Sequence, residues 1–323
     1  MPLRFAIVGP GKIADRKLAP ALAKVEGAVL WSVMSRDLER AQGFAARHRA
    51  AAPRAAFTDL DALLDDPDLD AVIIATPDRL HAEQTIAAAK AKKHVLVEKP
   101  MATDVREARA MNEACAAAGV RLGVAYHLRW HAGHRLLAEQ VHNGALGELR
   151  HMRVQWTYRA SDASNWRAAA DVGRWWGLAG VGTHAIDMVR WMMLPTCGEV
   201  VEVRSMTTRA VFGGPHDETA LVMMRLASGA TAEVVSSVVF DSTPTVEIFG
   251  SAASAACEGT LGPHGSGHVR ARGAEVEFTP VDPYEGEIAD FVAAIRGDRS
   301  PEVDGHEGLR NVELLVEAAP LER

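Results

Sequence analysis

The stretch HVLVEKPMA, residues 94–102, ends an apolar strand with a charged pair. The run His94–Val97 has the composition of a buried strand, and Glu98, Lys99 and Pro100 follow it directly. Ligands of parallel sheets bind at the carboxyl ends of the strands, which is where this lysine would stand. An ammonium group there can stabilise negative charge that develops on a substrate oxygen. We therefore predict that Lys99 is a catalytic residue.

A phosphate-binding turn is predicted at the start of the chain, in FAIVGPGKIAD. Gly9 permits a tight turn after the first strand, and Gly11 lets the backbone approach a pyrophosphate. Ala14 then lets the following helix pack closely on the strand. Free N–H groups at the start of that helix favour an anion. The sequence therefore predicts a dinucleotide cofactor at this turn.

The end of the second strand indicates which dinucleotide is bound. The strand VLWSVM is followed by Ser35 and Arg36, with Arg40 one helical turn later. Serine can donate to a 2′-phosphate, and arginine offers it a bidentate fork. Asp37 could instead hold the ribose of NAD, but its place before LERAQGFAARH is typical of a helix N-cap. The pattern favours NADP, with NAD as the alternative.

Short apolar runs alternate with helical segments over the first 125 residues. The runs are Phe5–Val8, Val29–Met34, Ala71–Ala75, His94–Val97 and Leu122–Ala125. The segments between them, such as HAEQTIAAAKAKK and VREARAMNEACAAAG, have helical spacing. This order is typical of parallel strands buried on both faces. We predict a doubly wound α/β Rossmann domain over residues 1–125.

The pattern changes after residue 126. Four segments alternate with a period of two: LRHMRVQWTY, VVEVRSMTTRAVF, TALVMMRL and TAEVVSSVVF. They predict an α+β domain over 126–300, with an open, largely antiparallel mixed sheet. A helix over 301–323 is predicted to pack back on the first domain. Because an exposed sheet face promotes association, we expect a homodimer or homotetramer formed through the open sheet.

Composition excludes several classes of protein. The chain has 323 residues, a net charge of −7 and three well-separated cysteines. The negative charge argues against nucleic acid as a partner, and no apolar segment is long enough to span a bilayer. We expect a cytoplasmic protein without a signal peptide, because strand residues begin at once and the cysteines form no disulfide pattern. The histidines have no metal-binding spacing, so no metal is predicted.

Taken together, the motifs resemble the Gfo/Idh/MocA family of NAD(P)-dependent oxidoreductases. The resemblance rests on the order GxGxxA, TP…H and HVLVEKP, and on NWR and GTHAIDMVRW further along. It implies that His184 is the catalytic histidine, a residue type suited to proton transfer near neutral pH. It also implies a set of cofactor-binding residues: Gly9, Gly11, Lys12, Ile13, Ser35, Arg36, Arg40, Thr76, Pro77, His81, Glu98, Lys99, Trp166, Arg167 and Tyr284. A cis bond before Pro100 is expected as well.

The chain departs from that family four residues before His184. Many members have an aspartate there, where this chain has Gly180. Either Asp187 or water then replaces the carboxylate, or the substrate does not need it. Asp187 shares a helix face with His184, so it either orients the imidazole or pairs with Arg190.

Two further residues are candidates for substrate contact. Arg129 can hold a hydroxyl, a carboxylate or the cofactor, or it can form a structural ion pair. Trp176, beside Trp175, either narrows the substrate pocket or packs in a core or a subunit interface.

The sequence thus predicts hydride transfer between NADP(H) and a small-molecule substrate, namely a sugar, polyol or related cyclic alcohol or carbonyl. Lys99 and His184 are expected to meet at the reacting carbon. Two alternatives stay open. One is a redox-neutral, NAD-dependent glycosidase of the same fold, and the other is a non-catalytic NADP-binding sensor.

Overall fold

The computed structural model describes residues 1–171 and 173–319. The chain divides into two compact units. The first unit holds residues 1–126 and 284–312, and the second holds residues 127–283 together with residues from 313 onward. The first boundary lies within one residue of the predicted one, but residues 284–300 lie with the first unit rather than the second.

A six-stranded parallel sheet forms the centre of the first unit, with the strand order β3-β2-β1-β4-β5-β6. The strands are β1 (Leu3–Val8), β2 (Ala28–Met34), β3 (Ala56–Phe57), β4 (Ala71–Ile74), β5 (His94–Glu98) and β6 (Leu122–Ala125). All four residues of β4 are buried, as expected for a strand covered on both faces. The predicted doubly wound α/β fold is confirmed.

Helices connect these strands: α1 (Ala19–Leu22), α2 (Leu38–Arg47), α3 (Leu60–Leu64), α4 (His81–Lys90) and α5 (Val105–Ala118). A π-helical turn over Ala14–Leu18 leads into α1. Aspartates cap three of the helices by accepting backbone N–H bonds: Asp37 on α2, Asp59 on α3 and Asp104 on α5. These caps begin three of the helices that follow a strand, at the carboxyl end of the parallel sheet.

The second unit contains an eight-stranded mixed sheet, in the order β14-β13-β12-β11-β7-β10-β9-β8. Its elements are α6 (Ala132–His142), β7 (Leu149–Thr157), α7 (Thr183–Cys197), β8 (Val200–Thr208), β9 (Thr219–Leu226), β10 (Thr231–Ser237), β11 (Thr245–Gly250), β12 (Ser254–Glu258), β13 (His268–Ala271) and β14 (Ala274–Glu275). The pair β7 and β10 is parallel, and the other neighbours are antiparallel. The predicted mixed, largely antiparallel sheet is confirmed.

One face of this sheet is packed and the other is exposed. The packed face forms a core with α6 and α7, in which Val154, Ile186 and Val222 are buried. On the opposite face Met206, Leu221 and Met223 are 71%, 46% and 59% exposed. The side-chain period of two along β9 produces this division.

Two helices end the chain, α8 (Pro283–Arg296) and α9 (Gly305–Ala318). In α8, Phe291 packs edge-on against Phe5 in the core of the first unit. The first turns of α9 also lie in that unit, where Gly308 approaches Met101 and Val124. The last turns contribute Leu314 and Leu315 to the core of the second unit. Within the described ranges, no helix is both long and apolar enough to cross a membrane.

Candidate active site

The glycine turn after β1 is built to accept an anion. Gly9 has φ +91°, and a Cβ there would lie 2.8 Å from the carbonyl oxygen of Ala75, so the turn requires glycine. A Cβ at Gly11, in contrast, would meet no atom within 4 Å. The backbone of Gly11 is therefore open to an approaching group, as a pyrophosphate at a helix start requires. The turn fits the dinucleotide that the sequence predicts.

Replacing Gly11 tests this cradle separately from the fold. We expect Gly11→Ala to leave the melting temperature within about 2 °C of the wild-type value, because the added methyl contacts no protein atom. We expect the Kd for NADPH to rise about tenfold or more, which corresponds to about 1.4 kcal/mol of lost binding. Isothermal titration of the two proteins with NADPH measures the difference.

Gly43→Ala is the matched control, since Gly43 lies inside α2 and its Cβ also meets nothing within 4 Å. It should stabilise the protein by about 0.5–1 kcal/mol and leave the NADPH affinity unchanged. Equal affinities of Gly11→Ala and wild type would place the pyrophosphate elsewhere.

Two arginines, Arg36 and Arg40, give the end of β2 a positive charge. Ser35 is buried, whereas Arg36 and Arg40 are exposed. Asp37 accepts a 3.2 Å hydrogen bond from the backbone N–H of Arg40 and caps α2, which confirms the N-cap interpretation of this residue. Its own N–H donates to Ser35 Oγ over 3.2 Å. Because that bond uses Ser35 as an acceptor, the serine hydroxyl proton can be donated to an anion.

His81 connects the two turns that follow β4 and β5. Its Nδ1 lies 2.9 Å from the carbonyl oxygen of Pro100, and its Nε2 lies 2.9 Å from that of Thr76. The side chain is fully buried. This geometry assigns His81 a positioning role between the Thr76–Pro77 turn and the strand end that carries Lys99. A direct cofactor contact by His81 stays a prediction.

Lys99 itself is half-buried at the end of β5. Its backbone N–H donates to the carboxylate of Glu98 over 3.2 Å, and Glu98 is 9% exposed. The bond between Lys99 and Pro100 is cis, as expected. Thr76 Oγ1 donates to Gln84 Oε1 over 2.6 Å at the neighbouring turn. The two strand ends are thus held by side-chain bonds rather than by sheet pairing alone.

Tyr284 belongs to the core of the first unit. It is 3% exposed, and the ammonium of Lys17 lies 5.8 Å from the centroid of its ring. Lys17 is part of the π-helical turn that follows the glycine turn. A contact between Tyr284 and the cofactor stays a prediction.

In the second unit, His184 lies in the first turn of α7 and is 3% exposed. The centroid of its ring lies 4.9 Å from the ring centroid of His127, in an edge-on arrangement, and 5.4 Å from the ring centroid of Trp156. His127 belongs to the short 3₁₀ turn His127–Trp130, and Trp156 lies near the end of β7. The imidazole is therefore fixed by two aromatic neighbours that the sequence analysis did not single out.

Arg129 and Asp187 form a buried bidentate ion pair. Arg129 Nε donates to Asp187 Oδ2 over 2.9 Å, and its terminal nitrogen donates to Oδ1 over 2.6 Å. The two side chains are 4% and 2% exposed. The structural alternative for Arg129 is therefore the observed one. Arg190 binds Glu199 over 2.7 Å, and both alternatives for Asp187, orienting the His184 imidazole or pairing with Arg190, stay predictions.

Breaking this pair should destabilise the protein. We expect Arg129→Met to lower the free energy of unfolding by about 3–5 kcal/mol, because it removes the bidentate cationic partner of the buried Asp187 carboxylate. Adding Asp187→Leu should recover most of that loss, since an apolar pair carries no desolvation cost. Urea denaturation of the two variants measures both effects, and equal stability of Arg129→Met and wild type would contradict the structural role.

The tryptophan–arginine pair of NWR lies on a short 3₁₀ turn, Trp166–Ala168. Trp166 is 40% exposed, and the guanidinium carbon of Arg167 lies 4.1 Å from its ring centroid. In this cation–π pair Trp166 is exposed and Arg167 is half-buried, and the tryptophan ring can offer a ligand a planar surface. Its contact with the cofactor stays a prediction.

Trp176 is a buried residue just before the π-helical turn Leu178–Gly182, which leads into α7. It is 1% exposed and lies against Phe212 with ring centroids 5.3 Å apart. The buried carboxylate of Asp217 accepts the backbone N–H groups of Trp176 and Leu178 over 3.0 and 2.7 Å. Burial raises the pKa of Asp217 to about 7, against the effect of these hydrogen bonds. The sequence analysis missed Asp217, although HDET before β9 places two acids together.

Metal chemistry has no visible basis in the described residues. Among residues 1–171 and 173–319, no cluster of three or more histidine, cysteine or acidic side chains could hold an ion. His131 and His134 stack with ring centroids 4.3 Å apart, and His134 Nε2 bonds to Thr260 Oγ1 over 2.7 Å. These histidines are core residues of the second unit.

Two family models match the chain. The model of the oxidoreductase family with an NAD-binding Rossmann fold matches residues 3–126, and the model of the GFO/IDH/MocA C-terminal domain matches residues 134–256. The chain therefore belongs to the Gfo/Idh/MocA family of NAD(P)-dependent oxidoreductases. This confirms the resemblance drawn from the motifs, the fold class and the use of NAD(P).

Individual relatives match between about three quarters and nearly all of the chain. It is 30% identical to 1,5-anhydro-D-fructose reductase of Ensifer adhaerens over 95% of this chain and 92% of that protein. It is 27% identical to myo-inositol 2-dehydrogenase of Thermotoga maritima over 77% and 73%. Aldose-aldose oxidoreductase of Caulobacter crescentus, solved with glycerol, has a TM-score of 0.91 at 26% identity and covers 98% of this chain and 96% of that one.

Proposed function

We propose that this chain is an NADP(H)-dependent oxidoreductase that interconverts a hydroxyl and a carbonyl group on a sugar, a polyol or a related cyclic compound. The main support for the proposal comes from the carboxyl ends of the parallel strands. The open backbone at Gly11 follows β1, and Lys99, with its ammonium group, follows β5 of the same sheet. The relatives named above support the substrate class, because their names refer to an anhydrosugar, an inositol and aldoses.

The first unit supplies most of the cofactor contacts. When bound, the nicotinamide accepts or supplies the hydride. The residues proposed to hold the pyrophosphate are Gly9, Gly11, Lys12 and Ile13. Those proposed for the 2′-phosphate are Ser35, Arg36 and Arg40, and those for the nicotinamide side are Thr76, Pro77, His81, Glu98, Lys99, Trp166, Arg167 and Tyr284.

Lys99 and His184 have different roles at the substrate oxygen. The Lys99 ammonium stabilises the negative charge that develops on that oxygen and orients the substrate. His184 donates a proton to the oxygen in the direction of reduction and accepts one in the direction of oxidation. Arg129 acts by pairing with Asp187 on the helix that carries His184. Trp176 acts by packing against Phe212 ahead of that helix.

A substrate panel followed at the nicotinamide absorbance band tests the proposal. The panel contains 1,5-anhydro-D-fructose with NADPH, and myo-inositol and an aldose with NADP⁺. We expect the absorbance to change in proportion to the substrate consumed for at least one member. Substrate consumption without net absorbance change would indicate a redox-neutral glycosidase, and NADPH binding without turnover of any compound would indicate a sensor.

Cofactor preference is tested at the end of β2. We expect Arg36→Asp to raise the Kd for NADPH by about 10–100-fold, because a carboxylate repels the 2′-phosphate and the arginine fork is lost. The same variant should bind NADH as well as wild type or better, because aspartate can accept bonds from the ribose hydroxyls. Titration with both cofactors measures the switch.

Arg150→Asp is the matched control, since it makes the same change of charge at a side chain that is 64% exposed in the second unit. It should leave both affinities unchanged. If Arg36→Asp kept the NADPH preference, the phosphate site would lie elsewhere.

The open face of the second sheet is proposed to join copies of this chain into a dimer or tetramer in the cytoplasm. Met206, Leu221 and Met223 are more exposed there than is usual for large apolar side chains. We expect light scattering to give an oligomer for wild type and a monomer for Leu221→Lys/Met223→Lys. A wild-type monomer at working concentration would reject this part of the proposal.

A further inference from the structure

Tyr158 lies on the same side of its strand as an aromatic neighbour of His184. It directly follows β7, and its backbone N–H donates to the carbonyl of Ser237 over 3.0 Å. Trp156 precedes it by two residues, so the period of an extended chain directs both side chains to one face. The ring centroids of Trp156 and His184 lie 5.4 Å apart. The phenol of Tyr158 therefore lies on the same face of the chain as Trp156, the face that is turned toward the His184 imidazole.

The phenol hydroxyl also faces Gly180. A Cβ built at Gly180 would lie 3.7 Å from Tyr158 Oη and 3.9 Å from Cε1, which is ordinary van der Waals contact. Gly180 precedes His184 by four residues, about one helical turn. The hydroxyl of Tyr158 thus stands against the space that a side chain at position 180 would enter, on the His184 side of the helix.

The surroundings keep this phenol able to donate. Burial raises the pKa of Tyr158, while the nearby Trp176 indole and the charge of Arg167 act in the opposite direction. The indole N–H can only donate, so it leaves the phenol proton available for another acceptor. Tyr158 is half-buried, so it is partly shielded from water. Gly180 beside it has no side chain, which leaves room for a ligand near the hydroxyl.

We propose that Tyr158 is a substrate-binding residue whose hydroxyl donates a hydrogen bond to a second hydroxyl of the substrate, next to the reacting carbon. This inference rests on the proposed function and narrows its substrate class to compounds with neighbouring oxygens, such as a vicinal diol or an α-hydroxy ketone. Gly180 leaves room for that second oxygen, and the phenol supplies the polar contact that position 180 lacks.

Tyr158→Phe keeps the ring and removes the hydroxyl. We expect kcat/KM for the best sugar of the panel to fall about tenfold or more, mainly through KM, as the loss of one hydrogen bond to substrate predicts. The NADPH affinity and the melting temperature should match those of wild type. Monodeoxy analogues of the same sugar then identify the partner hydroxyl. On the analogue that lacks it, wild type and Tyr158→Phe should have equal kcat/KM.

A variant at the facing position tests the same placement. Gly180→Ala places a methyl 3.7 Å from the phenol oxygen, in the space proposed for the second substrate oxygen, so it should lower kcat/KM more for the parent sugar than for the analogue that lacks that hydroxyl.

The outcomes distinguish the inference from the function on which it rests. An active wild type with Tyr158→Phe within twofold of it on the parent sugar, or a loss of the same size on every analogue, would overturn the role of Tyr158 alone. A wild type that oxidises or reduces no member of the panel would overturn the proposed function and the inference with it.

Discussion

Lys99→Ala is expected to lower kcat about 10²–10³-fold while keeping the Kd for NADPH within several-fold of the wild-type value. The size of the loss is that of removing one preorganised charge-stabilising group from an active site. Binding survives because the pyrophosphate cradle at Gly9 and Gly11 and the cationic residues at the end of β2 are unaffected. Steady-state kinetics with the best panel substrate and a separate NADPH titration measure the two quantities.

Lys90→Ala is the control for this substitution. Lys90 is an exposed residue in the last turn of α4, in the same unit but away from the carboxyl ends of the strands. It should keep full turnover and full affinity. Unchanged turnover in Lys99→Ala would remove Lys99 from the mechanism, and a parallel loss of NADPH affinity would assign it to binding the cofactor rather than to the chemical step.

His184→Ala is expected to lower kcat about 10²–10⁴-fold, the usual contribution of a positioned general acid or base. The pH profile of kcat/KM should also lose the limb that reports this proton transfer. NADPH affinity should change little, because His184 lies in the second unit among His127 and Trp156. Kinetics across a range of pH, with melting temperatures as a measure of folding, test this expectation.

His264→Ala is the matched control, because His264 is an exposed histidine of the same unit. Its pH profile should follow that of wild type. A His184→Ala variant that keeps both limbs of the profile and most of its turnover would show that another group transfers the proton.

The architecture was predictable because it depends on local signals. The five buried strands of the first sheet lie where the apolar runs predicted them, and only the two-residue strand β3 was missed. Such a short strand has no period to detect. The second sheet followed from alternation in segments such as TALVMMRL, although the parallel pairing of β7 with β10 was not predicted. Pairing partners far apart in the chain leave no local trace.

The residues at the glycine turn were predictable for the same reason. The φ of Gly9 and the open space at Gly11 are properties of a turn of a few residues, so spacing alone indicated them. The bidentate pair of Arg129 and Asp187 joins residues 58 positions apart. A sequence offers several partners at such distances, and helix spacing pointed only to neighbours of Asp187 on its own helix, His184 and Arg190.

Buried polar residues were the hardest to predict. Asp217 caps the start of the helix that carries His184, across 39 to 41 positions of sequence. His81 was identified as part of a motif, but its two carbonyl contacts were not. Both residues act by positioning neighbours, which composition and spacing do not show. We infer that substitution of either would change activity through the geometry of residues that they hold.

The most direct test of the central claim is the fate of the hydride. The protein is given NADPH deuterated at the transferable position of the nicotinamide, together with 1,5-anhydro-D-fructose or the panel member that it reduces best, and the product is examined by mass spectrometry. We predict one deuterium on a carbon of the product for each NADPH oxidised, with Lys99→Ala forming almost none. Product that carries no deuterium, or that forms without net oxidation of NADPH, would contradict the assignment as an oxidoreductase of sugars or polyols.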